Sequence, residues 1–320
     1  METALTPDAS TAATALLAVH SVDEFVFSVP DLEAARQFYA SFGLDVRDED
    51  GGLALYAFGH PQRWGRIRQA AGRKRLLWLS LGIHAGDAPR FAERLDQQGI
   101  ARITAPAGAD DGGIWIAGPD GLPLQLRAAP KSSPSAPAPQ TPPQPCANAG
   151  RAPARSRAPR VQPLYLSHIL LFSADVARAT RFYVDMLGLR VSDTSGDVIA
   201  FLHSPHGSDH HLIALAKSGG LGLHHTSWCV ASLDDVGLGM EQMSAAGHGE
   251  GWGVGRHVLG SNYFRYVRDP WGSYAEYSYD IDFVAPGAPW PATDHPPEDA
   301  LYVWGPALPP DFITNHEQDG

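Results

Sequence analysis

Apolar and polar residues alternate over 25–29 and again over 168–173, and an amphipathic segment with apolar residues every three to four positions follows both stretches. Alternation is typical of a half-buried β-strand, and the longer spacing is typical of a helix that packs one face on a core. After the second strand, Asp175 is a suitable helix N-cap and Gly188 a suitable C-terminal stop. The pattern therefore predicts a strand followed by a helix, given twice along the chain.

The two halves of the chain repeat the same order of elements. Residues 30–46 align with 174–191 once one residue is inserted before the glycine. Later elements also correspond: a second predicted helix around 87–98 or 233–246, and a closing hairpin around 119–121 or 269–272. We therefore predict an α+β protein of two domains, each built from paired βαβββ modules, which is a vicinal oxygen chelate or glyoxalase-like fold.

A change of composition separates the two halves. Residues 128–160 are mainly Pro, Ala, Ser and Arg and include no large apolar side chain, so they cannot bury enough surface to order themselves. We expect a flexible linker there. The other expected divisions are a leader over 1–19, an N-terminal scaffold domain over 20–127, a C-terminal catalytic domain over 161–285 and a tail over 286–320.

Overall composition restricts the class of protein. The chain is 44% hydrophobic and 9% aromatic, and it has no apolar run of the roughly 20 residues that a membrane helix needs. The net charge of −11 argues against a nucleic-acid partner. Cys146 and Cys229 form neither a disulfide framework nor a zinc pattern, and the first 19 residues lack the Lys or Arg of a secretory signal. We expect a cytoplasmic protein with no membrane partner.

Histidine is concentrated in the second half, where nine of the fourteen lie between His168 and His257. Two imidazoles and one carboxylate form the facial triad that binds a divalent iron-type metal and leaves coordination positions open. A single histidine on an apolar strand face is ordinarily a hydrogen-bonded core residue. His168, His225 and Glu276 follow one another in this half, and the family resemblance given next implies that they form such a metal site.

These repeats and this triad resemble the type I extradiol ring-cleaving dioxygenases (catechol 2,3-dioxygenase-like) of the vicinal oxygen chelate superfamily. The resemblance covers residues 20 to about 285 and is densest over 165–280. Within the family's signature, over 255–276, Arg265 stands where an apolar residue is usual. The resemblance implies that His168, His225 and Glu276 bind Fe(II), and Mn(II) is compatible with the same ligands.

The resemblance also implies roles for four further polar residues. His211 would be the acid–base residue beside the metal, and His257 and Tyr266 would hydrogen-bond the substrate oxygens. Asn262 shares the predicted face of Tyr266 and is a further candidate for substrate binding. A hairpin centred on Trp271 would place Tyr266 directly opposite Glu276.

His210 and His224 directly precede the site candidates His211 and His225. Strand alternation suggests that both face away from the site and are structural, although a slip of one residue would exchange each with its neighbour. The first half offers an internal comparison. Alignment sets Glu24, Leu77 and Gln125 at the positions of the three ligands. We therefore expect one metal per chain, and this disfavours the glyoxalase I arrangement, which the resemblance would build from both halves.

The implied reaction is extradiol cleavage of a catechol with dioxygen, in the breakdown of aromatic compounds, by an enzyme that we expect to be a homo-oligomer. Arginines that would hold a carboxylated ring are missing from 251–254 and 298–305, which favours a catechol with an apolar or hydroxyl substituent. Two alternatives stay open. An enzyme like 4-hydroxyphenylpyruvate dioxygenase would not require the pair of His257 and Tyr266, and a metal-free binding (resistance) protein of the superfamily would need no triad.

Overall fold

The computed structural model describes residues 16–140 and 147–318. Two large mixed sheets dominate it, one of seven strands from the first half of the chain and one of ten strands from the second. The predicted α+β fold of two sheet-rich halves is confirmed. No helix in the described part of the chain is long and apolar enough to cross a membrane.

The first half alternates strands with two helices. Its strands are β1 (Ser21–Val29), β2 (Asp45–Glu49), β3 (Gly52–Tyr56), β4 (Arg63–Gln69), β5 (Arg75–Ile83), β6 (Ile114–Ala117) and β7 (Pro123–Ala128), and its helices are α1 (Leu32–Phe42) and α2 (Ala88–Gln97). The strands lie in the order β2-β3-β4-β1-β5-β7-β6. β1 runs parallel to β4, and β5 runs parallel to β7.

The second half repeats this plan and extends it. Its strands are β8 (Tyr165–Ser173), β9 (Arg190–Ser195), β10 (Ile199–His203), β11 (Ser208–Asp209), β12 (Ile213–Lys217), β13 (Gly222–Cys229), β14 (Gly251–His257), β15 (Tyr263–Arg268), β16 (Tyr274–Tyr279), β17 (Phe283–Val284), β18 (Thr293–Asp294) and β19 (Tyr302–Trp304). Its helices are α3 (Val176–Asp185), α4 (Leu233–Ala245) and α5 (Pro297–Ala300). Single-turn 3₁₀ helices occur at Ala85–Asp87, Pro119–Gly121 and Arg155–Arg157.

The ten-stranded sheet has the order β18-β9-β10-β12-β8-β13-β16-β15-β14-β19, and β11 pairs with β17 separately. The repeat therefore lies at the centre, and the C-terminal residues add β18 and β19 at its two edges. At one edge, β19 pairs with β14. The tail thus becomes part of the same sheet as the strands that precede it.

The helix signals predicted for the second copy are confirmed, and the first copy has a side-chain cap at the corresponding position. The Asp31 carboxylate accepts the Ala34 amide at 3.0 Å, and the Asp175 carboxylate accepts the Arg178 amide at 2.9 Å, so each helix begins with a side-chain cap. After α3, Gly188 adopts φ of +75°, a left-handed conformation that glycine reaches without steric cost. Local sequence therefore determines where these helices begin and end.

One hydrophobic core extends through both halves. The Phe42 and Tyr277 rings stack with centroids 3.9 Å apart, and the Tyr277 hydroxyl donates to the Phe42 carbonyl at 2.8 Å. The buried Glu317 carboxylate joins the sheets again, because it accepts the amides of Leu76 at 2.7 Å and Leu223 at 2.8 Å. The first sheet is therefore a packed support for the second.

The predicted linker begins as packed chain. The amides of Ser132 and Ser133 donate to Ser21 Oγ at 2.8 and 3.0 Å, so these residues lie against β1. Beyond them, nearly all described side chains up to residue 160 are exposed. Residues 141–146, with Cys146, and residues 1–15 of the predicted leader lie outside the described residues. Flexibility of the linker and the domain limits stay predictions.

Candidate active site

Three neighbouring strands, β8, β13 and β16, bring His168, His225 and Glu276 together. Ser227 on the middle strand pairs with His168 on one side and with Glu276 on the other, and His225 lies two residues further along. Because side chains alternate along a strand, the ligand candidates project from one face. All three residues are buried, with at most 2% of the surface of each exposed.

The donor atoms of these residues converge. The Glu276 Oε2 atom lies 3.3 Å from His168 Nε2 and 3.5 Å from His225 Nε2. Among the described residues, neither Glu276 Oε2 nor His225 Nε2 has a hydrogen-bond partner. Leaving buried polar atoms unpaired costs about 1–3 kcal/mol each, and a divalent cation would satisfy both. The group fits a metal with nitrogen and oxygen ligands, since all three donor atoms lie within 4.8 Å of one another.

Hydrogen bonds behind His225 orient its ring. His225 Nδ1 lies 2.7 Å from His224 Nδ1, and His224 Nε2 lies 2.8 Å from the Phe312 carbonyl oxygen. A carbonyl only accepts, so His224 carries its proton on Nε2 and accepts from His225 at Nδ1. The lone pair of His225 is thereby left on Nε2, facing Glu276. Such partners raise the basicity of a ligand and fix its direction.

His168 and Glu276 also have partners that direct them. Ser167 Oγ donates to Asp209 at 2.5 Å and accepts from His168 Nδ1 at 3.2 Å, which leaves Nε2 of His168 for the centre. The Asn262 amide donates to Glu276 Oε1 at 3.1 Å, which leaves Oε2 free. Burial disfavours the charged Glu276, but the nearby imidazole of His168 outweighs it, and the pKa of Glu276 lies below its ordinary value.

His257 and Tyr266 border the same cavity. Tyr266 pairs directly with Glu276 across β15 and β16, as the hairpin predicted. The His257 Nδ1–H donates to the Leu301 carbonyl at 2.7 Å, so His257 Nε2 accepts the Tyr266 hydroxyl at 2.9 Å. Burial, followed by the charge of Glu276, raises the pKa of Tyr266 well above its usual value, and the phenol is therefore a neutral donor.

His211 lies beside the triad, with its ring centroid 3.9 Å from that of His168. Burial, followed by the neighbouring imidazoles of His168 and His210, lowers the pKa of His211 well below its usual value. At neutral pH the ring is uncharged and has one nitrogen available to accept a proton. Its position is compatible with acid–base chemistry at the triad.

The cavity above the triad encloses about 620 Å³, part of it open to solvent. Six of the seven predicted site residues line it, and Glu276 lies beneath. The remaining walls are largely apolar and come from β8, β10, the connection between β14 and β15, and the tail: Leu170, Phe172, Ile199, Phe201, Leu259 and Ile313. None of the described residues that line it is Lys or Arg. This environment suits an uncharged aromatic ring.

The structure corrects two details. His224, predicted to face away, borders the cavity together with His225 because the register shifts between Leu223 and His225. In the first half, the position matching His225 is occupied by Trp78, not Leu77, since Trp78 pairs with Val26 as His225 pairs with Leu170. An irregular strand register explains the first correction. The second arises because the segment 225–247 is one residue longer than 78–99.

The other two counterparts agree with the alignment. Glu24 pairs with Ser80 as His168 pairs with Ser227, and Gln125 pairs with Ser80 as Glu276 pairs with Ser227. Glu24 is bound by Arg63 at 2.6 Å and Arg66 at 2.7 Å. The corresponding position in the first half therefore holds an ion-paired carboxylate where the second half has a histidine.

Sequence reasoning missed the residues that orient the site. These are Ser167 and Asp209 behind His168, Asp193, which contacts His210, and the main-chain carbonyls of Leu301 and Phe312. The paired histidines at 210–211 and 224–225 were the only local signal for such an arrangement.

Comparisons with known proteins agree with this geometry. The model of the Glyoxalase/Bleomycin resistance protein/Dioxygenase superfamily matches residues 165–277. Metapyrocatechase 2 of Cupriavidus necator is 47% identical over 300 residues, which cover 94% of this chain and 93% of that protein. The chain belongs to the extradiol ring-cleaving dioxygenases of this superfamily, as the sequence resemblance predicted.

Solved structures show the same architecture. A Mn(II)-bound glyoxalase from Novosphingobium aromaticivorans is 25% identical, with a TM-score of 0.73 over 93% of this chain and 95% of its own. The 2,2',3-trihydroxybiphenyl 1,2-dioxygenase from Sphingomonas wittichii strain RW1 is 21% identical, with a TM-score of 0.68 over 91% of this chain and 100% of its own. These two proteins thus share the fold of this chain.

Proposed function

We propose that this enzyme cleaves a catechol ring next to its hydroxyl groups with dioxygen, at a mononuclear metal site formed by His168, His225 and Glu276. The observation that carries the proposal is the convergence of three buried donor atoms beneath a cavity that is otherwise mostly apolar. The identity of 47% with a metapyrocatechase supports the same substrate class. Fe(II) is the proposed metal, and Mn(II) is compatible with the same ligands.

A divalent iron bound there would supply open coordination positions and the electron chemistry with dioxygen. The protein's own residues bind and direct the substrate. We assign Tyr266 and His257 to hydrogen bonds with the catechol oxygens, because both border the cavity and Tyr266 has a neutral hydroxyl. We assign Asn262 to the same pocket wall, where its amide also steadies Glu276.

We assign proton handling to His211. Its uncharged ring touches His168 and borders the cavity, so a catechol hydroxyl there would lie within reach of a proton acceptor. After taking up a proton, the ring can return it to the cleaved product. His211 is therefore proposed to move a proton and not to bind the metal.

We propose a catechol with an apolar or hydroxyl substituent as the substrate. The walls near Phe172, Ile199 and Phe201 are apolar, and no described lining residue is cationic. A carboxylate placed against them would be desolvated without a partner, which costs at least a few kcal/mol. The lining therefore selects against acidic substituents.

We propose that the first half is a scaffold without a metal, over the domain limits expected from the sequence. Trp78 and Gln125 replace two of the ligands there, and neither is an imidazole or a carboxylate. A glyoxalase arrangement with ligands from both halves has no support in this chain, although a glyoxalase shares its fold. Assembly into a homo-oligomer stays a prediction.

Metal analysis combined with oxygen consumption on a panel of catechols tests the proposal. We expect about one iron or manganese per chain and catechol-dependent oxygen uptake. Glu276→Ala should lose the metal, and Glu250→Ala, an exposed carboxylate elsewhere in the second half, should keep it. A full metal load in Glu276→Ala, or no oxygen uptake with any catechol once iron is bound, would sink the proposal.

A further inference from the structure

We propose that Asp193 and His210 are positioning residues for His211, which fix its tautomer so that Nε2 is free to accept a proton. The inference rests on the proposed acid–base role of His211 and adds two residues to it. His210 is fully buried, and both residues are remote from the metal ligands in sequence. Only His211 of the three lines the cavity.

The three residues form a continuous chain of hydrogen bonds. Asp193 Oδ2 lies 2.8 Å from His210 Nε2, and His210 Nδ1 lies 3.0 Å from His211 Nδ1. The His210 amide donates to the Asp282 carbonyl at 2.6 Å, so the main chain at this point is also held. The ring of His210 has no freedom to turn without breaking both contacts.

The direction of each bond follows from Asp193. Its carboxylate also accepts the Thr293 amide at 2.9 Å and the Trp290 indole at 3.3 Å. Burial opposes its ionisation, but the hydrogen bonds from His210 and Thr293 outweigh this, and the pKa of Asp193 lies below its ordinary value. An ionised carboxylate only accepts, so the proton of His210 is on Nε2.

The tautomer of His211 is then determined. His210 presents a lone pair at Nδ1, so His211 donates its Nδ1–H to it and keeps the lone pair on Nε2. Without such an acceptor, either nitrogen of His211 could hold the proton. A ring with its proton on Nε2 could not accept a proton there. Of the two adjacent histidines, His210 thus orients the ring and His211 accepts the proton.

The same chain stabilises the protonated state. When Nε2 of His211 takes up a proton, its Nδ1–H still points at His210, and the negative charge of Asp193 lies at the far end. A carboxylate behind a histidine has this role in Ser-His-Asp hydrolases, where it holds the tautomer and stabilises the imidazolium.

The alternative is that Asp193 merely fastens the C-terminal segment. Asp294 offers a matched control for that role, because it lies at the same junction of β9 and β18. Its carboxylate accepts the Thr194 hydroxyl and the Gly196 amide, both at 2.8 Å, and neither bond involves His210. A purely structural effect should therefore appear in Asp294 variants as well.

The test uses the metal-loaded enzyme and measures metal content, thermal stability, anaerobic binding of 3-methylcatechol and kcat. His210→Leu, which removes the acceptor, should lower kcat at least about tenfold while metal content stays full and catechol binding changes less than about twofold. His210→Asn keeps an acceptor atom near Nδ1 and should recover much of the loss. Asp193→Ala should lower kcat, and Asp294→Ala should not.

Two results would overturn the proposal: kcat within about twofold of the parent enzyme in both His210→Leu and Asp193→Ala, or an equal loss of kcat in Asp294→Ala. If His210→Leu does not fold, kcat is compared between His210→Asn, which should keep much of the activity, and Asp193→Ala, which should lose activity. His211→Ala distinguishes failure of the proposed acid–base role of His211 from failure of the positioning role of Asp193 and His210. Retained turnover in His211→Ala means that its acid–base role fails, whereas loss of turnover in His211→Ala with both His210→Leu and Asp193→Ala unaffected means that only the positioning role fails.

Discussion

The Tyr266 hydroxyl donates to His257 Nε2 at 2.9 Å, and the same tyrosine sits directly opposite Glu276 in the β15–β16 ladder. The phenol of Tyr266 therefore contacts His257 and also lies next to Glu276, the proposed metal ligand. Since His257 is held from behind by Leu301, the pair has a fixed geometry before any substrate arrives. Because both rings are held, only the hydroxyl hydrogen of Tyr266 has to turn from His257 towards a substrate oxygen, and such limited rearrangement favours catalysis.

Tyr266→Phe should keep the metal and lower kcat/KM for catechols about tenfold or more, because it removes a donor and leaves the ring packing in place. Metal analysis and steady-state oxygen uptake measure this. Tyr263→Phe is the matched control, since Tyr263 is on the same strand and its hydroxyl contacts Arg256 outside the cavity. Equal activity of Tyr266→Phe and the parent enzyme would contradict the assigned role.

Substrate preference should follow the apolar lining. We expect kcat/KM for 3-methylcatechol and 2,3-dihydroxybiphenyl to exceed that for homoprotocatechuate by at least about a hundredfold, because a few kcal/mol of unpaired carboxylate burial corresponds to that ratio. Initial rates of oxygen uptake under air decide it. A preference for the arylacetate would show that a cationic group reaches the pocket.

Acid should destabilise the protein through its buried histidines. Burial, followed by the neighbouring His210 and Arg190, lowers the pKa of His203 from 6.5 to about 4. Between these values the unfolded chain binds more protons than the folded one, so stability falls as pH drops from about 6.5 to 4 and is unaffected above.

His203→Gln should remove this contribution. In metal-free protein, the free energy of unfolding by urea should fall less steeply between pH 6.5 and 4.5 than in the parent, by up to about 1.4 kcal/mol per pH unit. Each protein's own value at pH 7.5 is the baseline. Parallel curves for the two proteins would mean that His203 is not kept neutral by the fold.

The exposed part of the linker should be replaceable. Exchanging 136–154 for a Gly/Ser segment of equal length should leave kcat unchanged and stability within about 0.5 kcal/mol, because the described side chains there bury little surface. By contrast, Ser21→Ala removes the acceptor of the Ser132 and Ser133 amides and should cost about 1 kcal/mol. A large loss of activity in the exchange variant would give the segment a function.

Features that depend on local periodicity were predictable. The cap at Asp175 and the left-handed Gly188 are written in a few consecutive residues, and both appear as expected. The hairpin at 269–272 sets the pairing of Tyr266 with Glu276 because a two-residue period fixes which residues share a face.

Features that depend on register or on distant main chain were not predictable. A shift of one residue near His224 turns its ring into the cavity, and periodicity carries no sign of it. Asp193 reaches His210 across 17 positions of sequence, as one carboxylate among many. The contacts at Leu301 and Phe312 use main-chain carbonyl oxygens, which every residue has. The identity of the residues at these positions therefore does not predict the contacts.

The same carbonyl contacts make the tail a wall that can be remodelled. His257 and His224 keep their acceptors whatever side chain occupies 301 or 312, because the oxygens belong to the backbone. Both side chains nevertheless border the cavity. Pocket size and shape can therefore be varied at these two positions with the histidine tautomers held constant, which separates the choice of substrate from the preparation of the metal site.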